Sequence, residues 1–261
     1  GTAIGTLTEL LIPLVFMFSS KSRAKYRIHK FWKPQLKRIK EIIRLGWPKS
    51  LQWTNDIVTW AIFMIVLTGS FGVSALTAGY IVLGYMHLSF MPALGFNIAV
   101  NSLVAKYCGA GKPNIAINRC RVGVVISLVY MTFCAIVFIV FRKFAIEIFI
   151  SADTPPDQAL EIIEIGTTLM IMGALYQTLD ALGIVYSGGL NGSGDVIYIG
   201  VLTTILAWLI LVAGGFLFIK LLPNLGPIGP WIAAAIYISI YGICAMIRFE
   251  KGKWKKIELV N

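Results

Sequence analysis

Seven stretches of the chain, 1–20, 47–68, 76–105, 122–141, 160–187, 196–219 and 231–247, are apolar almost throughout. Most reach or pass the ~20 residues that an α-helix needs to cross a ~30 Å hydrocarbon layer. One water-soluble core cannot hide all of them. The composition agrees: 57% of residues are hydrophobic, mean hydropathy is +0.80 and only 13% are charged, about half the charged share usual in a soluble domain. The chain therefore reads as all-α, a polytopic membrane protein with seven transmembrane helices.

The net charge of +11 invites a nucleic-acid reading, but the placement of the charge speaks against it. Of the 23 Lys and Arg residues, eleven fall in 21–49, four in 106–121 and five in 248–256. If every apolar stretch crosses, those regions share one side of the bilayer, the pattern that marks the cytoplasmic face. The expected setting is a multi-pass protein of the cell (plasma or inner) membrane with a cytoplasmic C-terminus, the lipid bilayer as partner and no nucleic acid. Cys108, Cys120, Cys134 and Cys244 lack CxxC or ligand spacing and read as reduced or buried thiols. The chain opens at Gly1 inside an apolar pattern, without a basic leader, and reads as the later part of a longer protein.

Glu9 and Pro13 interrupt the first stretch, 1–20. Glu9 is either a partner for helices outside the chain or an interfacial residue. Residues 21–46 form a basic linker. In it Leu36, Ile39, Ile42, Ile43 and Leu45 recur at near-helical spacing among Lys37, Arg38, Lys40 and Arg44, the pattern of an amphipathic helix on the inner leaflet. Pro48 suits the first turn of the next helix. Residues 47–248 form a six-helix unit, and 249–261 a basic tail.

Carboxylates inside these apolar stretches are costly, roughly 2.5–3.5 kcal/mol at mid-bilayer on insertion scales, and such groups face a wet cavity or a partner. Asp56 lies 8 residues past Pro48, roughly 12 Å at 1.5 Å per residue, and Asp180 lies 9 residues before Gly189, roughly 13 Å from the same face. Similar depths on different helices point to one shared site. Tyr176 precedes Asp180 by one turn on the same helix face, and Gln177 is its neighbour. Asn97, with Asn101 one turn on, is about 13 Å from the basic end of its own helix. Trp53 and Trp60 flank Asp56 at i−3 and i+4. They either bind organic cations through their ring faces or pack against neighbouring helices. Two carboxylates and a phenol make a hard-cation site. Asp56, Asp180 and Tyr176 are the candidate ligands for Na⁺, or for a proton in its place, and no cofactor is called for. The alternative for Asp180 is a hydrogen-bonded clamp between helices.

His87, in the outer half of its helix, reads as a packing residue. Gly192-Ser193-Gly194-Asp195 matches the GxGD pattern of intramembrane aspartyl proteases. That chemistry needs its Asp within the membrane, facing a second Asp. Asp195 instead follows a glycine-rich loop, and reads as a helix-start cap. Zinc-ligand, P-loop, Rossmann and Ser-His-Asp patterns are absent from the sequence, which names no catalytic residue and does not read as an enzyme.

Four motifs, soft singly, carry a stronger signal in their order and spacing: LGWPKSLQ at 45–52, SFMPALGFNIAVNSLVAKYCGAGKP at 89–113, ALYQTLDALGIVYSGGLNGSGD at 174–195 and RFEKGKW at 248–254. In them the chain resembles the C-terminal half of a MATE (multidrug and toxic compound extrusion) transporter of the NorM-like branch. The resemblance covers the last helix of the N-terminal lobe, the linker and the six helices of the C-terminal lobe. It implies two six-helix lobes around a central cleft. It also implies an antiporter that exports organic cations and drugs in exchange for Na⁺ or H⁺, with the missing N-terminal lobe as partner. The family's coupling-ion site, an acid after the Gly-x-Pro and a Tyr-x-x-x-Asp, then falls on Asp56, Tyr176 and Asp180. Position 56 is Asp where Glu is commoner, which shortens its reach. The same superfamily contains flippases for lipid-linked oligosaccharide precursors. Those often have basic cavities, whereas the polar groups here are acidic.

Overall fold

In a computed structural model the described residues are 2–19 and 35–256, and the chain divides into two units, Gly1–Trp47 and Pro48–Asn261. The first unit contains α1 (Thr2–Phe18), an apolar helix of 17 residues with Pro13 inside it. Glu9 and the apolar side chains Leu7, Leu10, Leu11, Val15 and Phe16 are exposed on it. Most of the basic linker, and the last five residues of the tail, lie outside the described residues.

Helix α2 spans Leu36–Ala61. The near-helical spacing read across Leu36, Ile39 and Ile43 therefore lies in a helix, and these three side chains are exposed. The structure corrects the expected start at Pro48, which sits inside α2 rather than in a first turn. A proline inside a membrane helix is tolerated where neighbouring groups take up the freed carbonyl, so it is a poor boundary marker there.

Six helices of the second unit are long and apolar enough to cross a membrane: Ser50–Phe71, Val73–Gly109, Pro113–Glu147, Pro156–Gly192, Val196–Leu221 and Ile228–Glu250. The last part of α2 continues through a wide π-helical segment, Ile62–Thr68, and a 3₁₀ turn, Gly69–Phe71. Then come α3 (Val73–Gly109), α4 (Pro113–Glu147) and α5 (Pro156–Gly192). The next span joins α6 (Val196–Leu206) to α7 (Gly215–Leu221) through a second π-helical segment, Ala207–Gly214. Helix α8 (Ile228–Glu250) closes the bundle. With the shorter α1, these account for the seven apolar stretches. Glycines with positive φ, Gly72 (100°) and Gly194 (90°), make the tight turns before α3 and α6.

Helix α5 lies at the centre, packed against α3, α4 and α8. It comes close to α3 because the facing residues are small, the usual means of helix association in lipid. Gly188 and Gly192, one turn apart, face Asn97 and Asn101, also one turn apart. A Cβ on Gly188 would stand 2.6 Å from the Asn97 carbonyl oxygen, and one on Gly192 would overlap the carbonyl of Asn101. By contrast α4 turns Val125, Val129, Phe133, Ile136 and Val140 outward. That apolar stripe suits lipid.

One end of the bundle is tied by charge. Arg248 on α8 donates from Nε to Oδ2 of Asp195 at 2.7 Å, and its guanidinium lies 4.6 Å from the Tyr198 ring centre. Arg121 on α4 grips Glu250 with two nitrogens, at 2.5 and 3.1 Å, and Tyr186 on α5 donates to the same carboxylate at 3.0 Å. Asp195 does take the N-cap position of α6, as the sequence suggests, but its side chain makes no cap hydrogen bond. The pairing needs Arg248, 53 residues away, which local spacing does not reveal. The first tail residues are also folded in: Trp254 is buried, stacks on Phe249 at 5.2 Å and donates to the Phe249 carbonyl at 2.8 Å. Removing Asp195 leaves Arg248 without its carboxylate at a half-buried position. Asp195→Ala is expected to cost roughly 2 kcal/mol, and adding Arg248→Met to restore much of it. Thermal unfolding of the full-length protein in detergent measures both.

Candidate functional site

The two carboxylates singled out in the sequence sit on α2 and α5, and α8 connects them. Asp180 lies 12 residues before the end of α5 at Gly192, roughly 18 Å along the axis, and Asn97 lies 12 residues before the end of α3 at Gly109. Both helices run further than their apolar stretches and end equally far beyond these two residues, whereas the count from Pro48 that gave Asp56 the same depth no longer starts at a helix end. Asp180 is half-buried and, among the described residues, makes no hydrogen bond or ion pair. Three phenols surround it electrostatically: Tyr176 one turn earlier on α5, and Tyr237 and Tyr241 on α8. Asp56, also half-buried, acts on the same Tyr237 and Tyr241. Both carboxylates thus lie within electrostatic range of the same two phenols.

The positions of these phenols follow from close backbone packing. Gly242 on α8 packs against the Leu179 carbonyl, where a Cβ would stand 2.6 Å away, and the Tyr241 ring covers Gly183, where a Cβ would stand 2.8 Å from it. Leu179 and Gly183 bracket Asp180, so this contact sets Tyr241 beside it. The Tyr237 and Tyr241 rings stack at 6.4 Å and 23°. Neither was singled out from the sequence, where two tyrosines one turn apart on an apolar helix look like packing. On the α2 side, Asn55 Oδ1 accepts from Trp208 Nε1 at 2.8 Å, a second contact the sequence did not suggest. It fixes the rotation of α2 next to Asp56.

The other candidates have contacts of their own. Asn97 donates to the Ile184 carbonyl at 2.5 Å and to Ser187 Oγ at 3.1 Å, so its amide clamps α3 to α5. Asn101 is half-buried, its carbonyl against Gly192. Gln177 is buried and donates to Met131 Sδ at 3.7 Å, which points it toward α4. Trp60 meets Phe63 edge-on at 5.3 Å, and Phe63 meets Trp231 at 5.5 Å. That is a packing chain. Trp53 is exposed. His87 contacts Phe90 edge-on at 6.5 Å. Among the described residues no three His, Cys, Asp or Glu side chains converge as a metal-binding group.

A six-span helical bundle with carboxylates deep in two of its spans defines a class, one lobe of a polytopic membrane protein. Residues 57–218 match the MatE family, and the chain belongs to it. It is 25% identical over 98% of its length to the "Probable multidrug resistance protein NorM" of Thermotoga maritima, covering 54% of that protein. It is 24% identical over 96% of its length to the "Multidrug resistance protein MdtK" of Yersinia enterocolitica, again covering 54%. The chain thus spans about half the length of these relatives. Among solved structures, a MOP superfamily transporter from Pyrococcus furiosus superposes with a TM-score of 0.80 at 17% identity, over 97% of this chain and 55% of that one. It is described as having a binding pocket whose reverse polarity suggests a different function. A MATE crystal structure in the bent conformation gives 0.74 at 17% identity, over 87% and 49%. These likenesses bear on the fold.

Proposed function

We propose that the chain is the C-terminal lobe, with the last helix of the N-terminal lobe, of a cation-coupled antiporter that exports organic cations and drugs in exchange for Na⁺ or H⁺. The observation that carries this reading is Asp180. It is a carboxylate deep in an apolar span, half-buried, without a hydrogen bond or ion pair among the described residues, and it shares two phenols with Asp56. A helix–helix clamp would have used its hydrogen bonds, as Asn97 does. A group left open at that depth is suited to a mobile cation. Asp56 and Asp180 hold the coupling ion, with Tyr176 beside them. The missing N-terminal lobe completes the cleft. The basic end, with the C-terminus, faces the cytoplasm of a cell membrane.

The relatives' names support drug export, and the acidic sign of the cluster suits cationic cargo. The alternative that the sequence resemblance implies is a flippase for lipid-linked oligosaccharide precursors. Everted membrane vesicles containing the full-length protein separate the two, with ethidium as probe. Ethidium accumulation driven by a Na⁺ or a pH gradient, and lost when that gradient is dissipated, is the expected result. Ethidium movement indifferent to both gradients overturns antiport. Translocation of a lipid-linked oligosaccharide without ethidium transport selects the flippase.

A further inference from the structure

We infer that Tyr237 and Tyr241 of α8 form a third wall of the cation site, beside Asp56 on α2 and Asp180 on α5. The inference rests on the antiport reading of that site. The two rings are stacked one turn apart, which fixes both side chains as a unit. Tyr241 is set beside Asp180 by backbone packing, since its ring covers Gly183 and Gly242 abuts the Leu179 carbonyl. On the α2 side, Phe63 meets Trp231 of α8 at 5.5 Å, so the helix bearing Asp56 is anchored to the helix bearing the tyrosines. Both phenols lie within electrostatic reach of both carboxylates, and Tyr241 also lies beside Ser187.

The chemistry of the arrangement is specific. Two carboxylates alone repel each other, and without a cation the repulsion opposes their approach. A phenol beside them offers an oxygen acceptor to a bound hard cation. A phenylalanine keeps the stacking and loses that oxygen. The titratable groups facing the cation are Asp56 from α2, Tyr176 and Asp180 from α5, and Tyr237 and Tyr241 from α8.

The test uses the full-length protein in detergent, with the thermal midpoint followed against Na⁺ at fixed pH, and against pH without Na⁺. A cation that binds the folded state raises the midpoint in a saturable way. One of the two titrations is expected to show this. In Tyr237→Phe/Tyr241→Phe the half-saturating concentration is expected to rise about tenfold, or the pH midpoint to fall by about one unit, from the loss of two oxygen contacts worth about 1.4 kcal/mol together. Tyr85→Phe is the control, because Tyr85 donates to the Ala145 carbonyl at 2.9 Å and is not in the cluster. Unaltered half-saturation in the double variant, or an equal change in the control, overturns the inference. If Asp180→Asn abolishes the response in either case, the site itself stands. If Asp180→Asn responds as the parent does, or the parent responds to neither ion, the site reading falls and the inference with it.

Discussion

Asp180→Asn in the full-length protein is expected to abolish ion-coupled efflux, a loss of at least ~100-fold, equivalent to ~2.7 kcal/mol in ion affinity, while synthesis and membrane insertion stay normal. The substitution keeps shape and volume and removes only the charge. Charge-assisted contacts are about twice as strong as neutral ones, and the site has no basic residue among its described neighbours to compensate. Because Asp180 makes no hydrogen bond or ion pair among the described residues, no structural bond is lost, and the fold is expected to hold or to gain stability. Efflux of ethidium from cells, together with the amount of protein in the membrane, gives the result. Normal coupled efflux from the variant would remove the central residue of the site.

The largest effect on stability is expected at the α3–α5 contact. Gly192→Leu places a side chain against the Asn101 carbonyl, which is main chain and cannot turn aside. Overpacking of this kind costs typically 1–3 kcal/mol and sometimes more, and the upper end, about 3 kcal/mol, is expected here. Gly188→Leu meets the Asn97 carbonyl and also disturbs the amide that clamps α3 to α5. Gly200→Ala, with open space around it, is the control and is expected to be neutral or stabilising, since alanine has the higher helix propensity. The measurement is the fraction of correctly folded full-length protein recovered in detergent, and its unfolding midpoint. Equal behaviour of Gly192→Leu and Gly200→Ala would contradict the close approach.

The bundle was legible in the sequence because apolar length is a physical requirement of the bilayer and survives any detail of packing. Asp56 and Asp180 stand out in the sequence for the same reason: a carboxylate inside an apolar stretch is expensive and conspicuous. What the sequence hid lay between helices. Tyr237 and Tyr241 look like ordinary apolar-helix aromatics until α8 is placed against α5. The polarity of Asn97 shows in the sequence, and its partner, a carbonyl on another helix, does not. Asp195 takes the cap position that its local context suggests, while its partner, Arg248, is far along the chain. Pro48 misplaced a helix start because the rule it follows was learned where water, not lipid, surrounds the backbone.

The two π-helical segments, Ile62–Thr68 and Ala207–Gly214, lie against each other. A coil that takes in one residue too many swings everything beyond it by about 100°. In two adjacent spans the swings occur side by side, and Leu67 is thereby turned into the notch left by Gly215. The two spans are keyed together by a matched pair of irregularities, so that straightening either one alone would unseat the other.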